Sequence, residues 1–104
     1  MIRTSVVHVN KAPFDVYIGR AYRDQPASIF QNPFKIGPDG SRQQVIEKYR
    51  QYAAENPLIL QGLEGLRGKT LACWCKPDAC HGDVLVEMLE GKIEPPAQLN
   101  LLGL

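Results

Sequence analysis

LACWCKPDACHGDVLV, residues 71–86, decides how the rest of the chain is read. Thr70–Cys75 has the β-branched, apolar character of a strand. Lys76-Pro77-Asp78-Ala79 interrupts it, and a helix opens near Cys80-His81-Gly82-Asp83. All three cysteines of the chain, its single tryptophan and one of its two histidines fall inside this stretch. Thiols, an imidazole and a carboxylate therefore meet where a strand ends and a helix begins. In open α/β folds that is the edge at which ligands bind.

Working toward the N-terminus, Ser5–Asn10 is expected to form a first strand and Asp15–Gly19 a second, separated by Lys11-Ala12-Pro13. Residues 20–40 lack periodicity and form a long loop, a length usually kept for function. Ser41-Arg42-Gln43-Gln44 fits a capping box, with Ser41 as N-cap and Gln44 reaching back. The helix behind it carries Val45, Ile46, Tyr49, Tyr52 and Ala53 on one face and stops at Asn56-Pro57. Pro57 opens a short helix carrying Leu58, Leu60 and Leu63, Gly65–Gly68 turns, and Lys69–Cys75 is the third strand. Gly82–Leu89 is a helix with Val84, Leu85, Met88 and Leu89 inward, ended by Gly91. The alternation implies an α/β fold, a small single-domain sandwich with a partly parallel sheet and flanking helices. Residues 1–93 make that domain, and residues 94–104 are a tail that begins at Glu94-Pro95-Pro96.

A chain of 104 residues has room for one core. No apolar run reaches the ~18 residues of a membrane span, and the N-terminus lacks a secretory apolar core. Three clustered cysteines are not a secreted disulfide framework, so a reducing cytoplasm is expected, with all three as free thiols. The net charge of +1 hides an asymmetry. Residues 1–50 hold eight Lys/Arg against four Asp/Glu (+4), and residues 51–104 hold four against seven (−3). A phosphate-bearing small ligand suits the first half. The basic density is too low to hold long nucleic acid by charge.

Cys73, Cys75, Cys80 and His81 admit three readings. Four soft ligands within nine residues could hold zinc, although C-x-C-x4-C-H is not a usual zinc spacing. A thiol at a helix N-terminus has a lowered pKa, so Cys80 or Cys75 could be a nucleophile with His81 and Asp83 as acid/base groups. Alternatively, Cys73 fills the core while His81 and Asp83 only cap the helix. His8, within an apolar strand, is structural or lines the edge of the pocket.

Three segments together resemble a family. Asp15-Val16-Tyr17-Ile18-Gly19-Arg20, then Asn32-Pro33-Phe34 with Gly37, then Cys73-Trp74-Cys75-x-Pro77-x-x-Cys80-His81-Gly82-Asp83-Val84-Leu85 resemble the DUF4326 family of small bacterial and phage proteins. Residues 71–81 are also reminiscent of the DUF488 family. Phe30-Gln31 departs from the Trp-Gly pair expected before Asn32. The resemblance implies a shared site built from Arg20, Asn32, His81 and Asp83, and it brings no reaction with it.

The residues independently point to the same place. Gly19-Arg20 ends the second strand, and Arg20 offers a planar fork to phosphate or carboxylate. Backbone N–H groups near Gly82 offer anion donors, and Asn32 could read a base edge or simply make a turn. The expected ligand is a nucleotide- or nucleoside-like small molecule. In the tail, Gln98-Leu99-Asn100-Leu101-Leu102 resembles the peptide by which bacterial polymerases dock on the sliding clamp. The competing readings of Gln98, Leu99, Leu101 and Leu102 are folding back onto the domain and pairing in a homodimer. Two alternatives to a ligand-binding enzyme thus stand: a zinc-stabilised interaction module, and a structural partner acting through its tail.

Overall fold

The computed structural model describes residues 3–91. Three parallel strands, β1 (Ser5–His8), β2 (Val16–Tyr17) and β3 (Thr70–Cys73), form one sheet in the order β1-β3-β2. The last strand in sequence is the central one. Ser5 pairs with Thr70 and His8 with Cys73 on one side, and Val16 pairs with Leu71 on the other. Leu71, Ala72 and Cys73 are consequently buried, as expected of a central parallel strand covered on both faces.

All three strands are shorter than their sequences suggest. The ladder hydrogen bonds Asp15 N–H to Thr70 O and Ile18 N–H to Ala72 O extend beyond β2 without adding paired residues. β3 stops at Cys73, and Trp74-Cys75 bends out of the sheet. The strand alternation that would put Cys73 and Cys75 on one face therefore ends before Cys75.

The helices follow their local signals closely. α1 (Arg42–Ala54) starts from Ser41, whose Oγ accepts Gln44 N–H while Gln44 Oε1 accepts Ser41 N–H. Its inward side buries Val45, Tyr49 and Ala53. α2 (Pro57–Gly62) has Asn56 as N-cap and Pro57 in its first turn, then tightens into a 3-10 turn over Leu63–Leu66. Ile59 and Leu66 are its buried residues, whereas Leu58 is exposed. α3 (His81–Leu89) begins one residue earlier than its glycine suggests, with Cys80 as N-cap, and the chain leaves it through Gly91 at φ +76°.

α3 packs on β1 and β3, and α1 packs on α3. The contact with the sheet is close because residue 82 is glycine. A Cβ there would come within 2.9 Å of Ile18 and Val6. Val84, Leu85 and Leu89 join Ile18, Leu71, Tyr49 and Ile59 in one core. Each such side chain contributes about 1.5–3 kcal/mol of burial.

The long connection between β2 and α1 is ordered mainly by its own polar groups. Backbone bridges join Tyr22 to Gln25 and Gly37 to Gly40. Phe30 enters the core, and its carbonyl accepts the buried Tyr49 hydroxyl at 2.7 Å. No helix among the described residues is long and apolar enough to cross a membrane.

Candidate functional site

β2 and β3 end side by side, and α3 starts facing them. Between these ends and the long connection lies a cavity of about 650 Å³, a volume typical of small-molecule sites. Gly19, Arg20, Asn32, Cys75, Cys80 and His81 all border it, which brings six of the eight expected catalytic and ligand-binding residues together. Cys73 borders it as well. Asp83 and Gly82 do not. Gly82 is turned to the sheet, and Asp83 is consumed by structure. Its Oδ2 accepts Cys80 N–H at 3.1 Å, and its Oδ1 accepts the Lys76 ammonium at 2.6 Å.

That cap changes the anion argument. The Asp83 carboxylate takes the Cys80 N–H, and the Cys80 sulfur faces the N–H groups of Gly82 and Asp83, so these donors already have a partner within the chain. Asn32 changes role too. It is buried, its Oδ1 accepts Phe34 N–H at 2.9 Å, and its Nδ2 donates to Val45 O at 3.3 Å. The amide oxygen closes a turn onto Phe34 and the amide nitrogen ties the loop to Val45 of α1, so Asn32 shapes the cavity wall.

The positive charge of the site comes from side chains. Arg20, Lys35 and Arg42 border the cavity, and no Asp or Glu does among the described residues. Arg20 donates one guanidinium N–H to Phe34 O at 2.9 Å, leaving the rest of its fork available. Arg42, in the first turn of α1, donates to Ala79 O at 3.1 Å and lies 3.6 Å from Asp78.

Part of the wall is aromatic. Trp74 donates its indole N–H to the Tyr17 hydroxyl at 2.8 Å, and that hydroxyl donates to the Arg20 carbonyl. Gly19 makes this possible, because a Cβ there would sit 2.5 Å from the Tyr17 oxygen. Tyr22 and His8 meet the indole edge-to-face at 4.6 and 5.8 Å. Trp74 nevertheless keeps 39% of its surface exposed.

A model of DUF4326, described as a domain of unknown function, matches residues 3–91. The chain belongs to the DUF4326 family. It is similar to an uncharacterized protein of Acanthamoeba polyphaga mimivirus, 36% identical over 86 residues, covering 71% of this chain and 65% of that protein. The chain thus spans slightly less than two thirds of that relative. It is also similar to an uncharacterized 12.4 kDa protein encoded in the nrdA-td intergenic region of Enterobacteria phage T4. That likeness is 34% identity over 89 residues, covering 81% of this chain and 75% of that protein. No solved structure matches.

In this DUF4326 chain the groups able to move protons or attack are His81 and the thiols. His81 is buried, and its Nε2 sits 2.8 Å from Ile18 O. A carbonyl only accepts, so Nε2 carries the hydrogen and Nδ1 is a lone-pair acceptor. Burial pushes the His81 pKa below its ordinary value, with the nearby Arg20 charge adding to the effect and the Ile18 contact opposing it. The ring is therefore neutral at neutral pH. Among the described residues every fully buried side-chain N or O atom has a partner. Nδ1 has none, so it retains access to the cavity.

Cys73 Sγ and Cys80 Sγ are 3.1 Å apart at the buried end of the cavity. The hydrogen bond from Cys73 lowers the Cys80 pKa. The N–H of Gly82 and the charge of Lys76 help, against burial and Asp83. Cys75 is driven the other way by the neighbouring Cys73 thiol and by burial. For Cys73, the bond with Cys75 lowers the pKa, but the bond with Cys80, burial and the Cys80 charge raise it overall. The four residues of the zinc reading do not converge. His81 addresses Ile18 O, and among the described residues no three His, Cys, Asp or Glu side chains form a metal-ligating group.

Sequence reasoning missed Tyr17, Tyr22, Phe34, Lys35, Arg42 and Trp74 as cavity residues. Arg42 left a signal, since a basic residue is unusual just after an N-cap. Gln98, Leu99, Leu101 and Leu102 lie outside the described residues.

Proposed function

We propose that this chain binds a nucleotide- or nucleoside-like ligand in the cavity at the β2 and β3 ends, as a cytoplasmic protein of nucleic-acid metabolism. The observation that carries this reading is the composition of the cavity wall. Among the described residues three cationic side chains and no carboxylate border it, together with a half-exposed tryptophan. An anion with an aromatic body complements both parts of the wall: phosphate on Arg20, Lys35 and Arg42, base against Trp74. His81 Nδ1 then serves as the proton acceptor beside the ligand, and Cys80 as the nucleophile. A reducing compartment suits the three free cysteines. The Gln98–Leu102 peptide adds docking on a sliding clamp to the proposal, on the strength of its sequence.

Thermal shift of the full chain with nucleoside monophosphates, free nucleosides and inorganic phosphate tests the reading. Monophosphates should stabilise most, because they alone engage both parts of the wall. Arg42→Ala should weaken that binding by about tenfold or more, the usual cost of a lost charged hydrogen bond. Equal responses to phosphate and nucleotide, or indifference to both, would falsify it.

A further inference from the structure

We infer that Cys80 and Cys73 form a redox site at the floor of the cavity, at which a small hydroperoxide is reduced and the two thiols are joined. Two sulfurs 3.1 Å apart need to close by only about 1 Å to reach bonding distance. They sit on different elements, Cys73 as the last residue of β3 and Cys80 as the N-cap of α3. Both border the cavity, which gives a molecule as small as hydrogen peroxide a route to residues that are otherwise buried.

The roles of the two sulfurs are unequal. Cys80 faces the backbone N–H groups that open α3, receives the Cys73 hydrogen bond and lies near Lys76, so it is the thiolate of the pair. Cys73 ends a strand, where no helix N–H groups face its sulfur, and its pKa is raised. The Cys80 thiolate attacks one peroxide oxygen, the O–O bond breaks, and hydroxide leaves and takes up a proton as water. The resulting sulfenic acid is then attacked by Cys73 sulfur. An S–S bond forms, the sulfenic oxygen departs as a second water with the Cys73 proton, and one peroxide is reduced by two electrons. Cys75 takes no part: its pKa is raised, and a link to Cys73 would span only two positions. The site requires no ligand other than peroxide and stands independently of the nucleotide reading.

The test uses the reduced full chain, one equivalent of hydrogen peroxide and an iodoacetamide quench, read by intact mass and peptide mapping. The expected product is a monomer that has lost two hydrogens, with a Cys73–Cys80 link and Cys75 alkylated. Cys75→Ala should give the same Cys73–Cys80 link. Cys73→Ser should accumulate a dimedone-reactive sulfenic acid on Cys80, and Cys80→Ser should slow thiol loss by at least about tenfold. A link involving Cys75, an intermolecular disulfide, overoxidation of Cys80 without a link, or thiols that resist peroxide would each overturn the proposal. The unmodified chain and Cys75→Ala decide it even where the other variants fold poorly.

Discussion

α1 and α3 begin with the same hydrogen-bond pattern and opposite chemistry. In both, the N-cap side chain faces the first turn while the residue three positions on returns to the N-cap N–H. At α1 the pair is Ser41 and Gln44, neutral and exposed. At α3 the pair is Cys80 and Asp83, a titratable thiol beneath a carboxylate that is itself tied to Lys76. Backbone demand is met equally at both ends. Only α3 spends reactive groups on it, and it does so beside the cavity. The difference separates a cap that only starts a helix from one that also sets the charge of a sulfur.

The comparison is broken most severely at Gly82. Gly82→Val should cost about 3 kcal/mol or more, since even a Cβ meets Ile18 and Val6 at 2.9 Å. Urea unfolding would measure it, and an unchanged midpoint would mean that α3 rides farther from the sheet. Next, Asp83→Ala removes the Cys80 cap bond and strands Lys76, at a cost of about 1–2 kcal/mol. Ser41→Ala at the exposed cap should cost about 0.5–1 kcal/mol. If the two variants unfold at the same urea concentration, burial adds nothing to the cap.

A gentler probe is pH. His81, the first residue of α3, has a folded pKa below its unfolded value of about 6.5. The unfolded chain then binds the extra proton first as pH falls. Its contribution to stability is complete above the unfolded pKa and is lost as pH falls through the folded one. Between about pH 7 and pH 5, His81→Gln should therefore flatten the decline in melting temperature relative to the unmodified chain. Parallel declines would mean that the ring is not what titrates. The smallest effect on folding is expected from the Gln98–Leu102 segment. Changing Gln98, Leu101 and Leu102 to Ala should leave melting unaltered within about 0.5 kcal/mol. The same change should abolish any capture by a bacterial sliding clamp. Loss of the fold would instead assign those leucines to the domain.

The helices and the parallel sheet were legible because their signals are local. Ser41 with Gln44, Asn56-Pro57 and Gly91 act within a few residues of themselves. Strand lengths were overestimated because pairing depends on the partner. Cys75 has strand-like neighbours in sequence but nothing to pair with once β1 and β2 have ended. Half of the site was readable for the same reason, from residues at element ends. Lys35, Arg42 and the aromatic wall were not, since the loop that gathers them is ordered by contacts such as Asn32 to Val45 and Tyr49 to Phe30. Asp83 shows the converse. Its residue type suggests acid/base work, and its hydrogen bonds show a cap.

Trp74 is the single tryptophan of the chain, and it stands on the cavity wall with its N–H fixed to Tyr17. Excited at wavelengths that only indole absorbs, the protein therefore emits from one address. A base that stacks there should quench the emission, and a sulfur oxidised at the adjacent Cys73 should alter it, whereas events elsewhere in the chain remain dark. The molecule carries its own optical reporter of cavity occupancy, usable at micromolar concentration without a label.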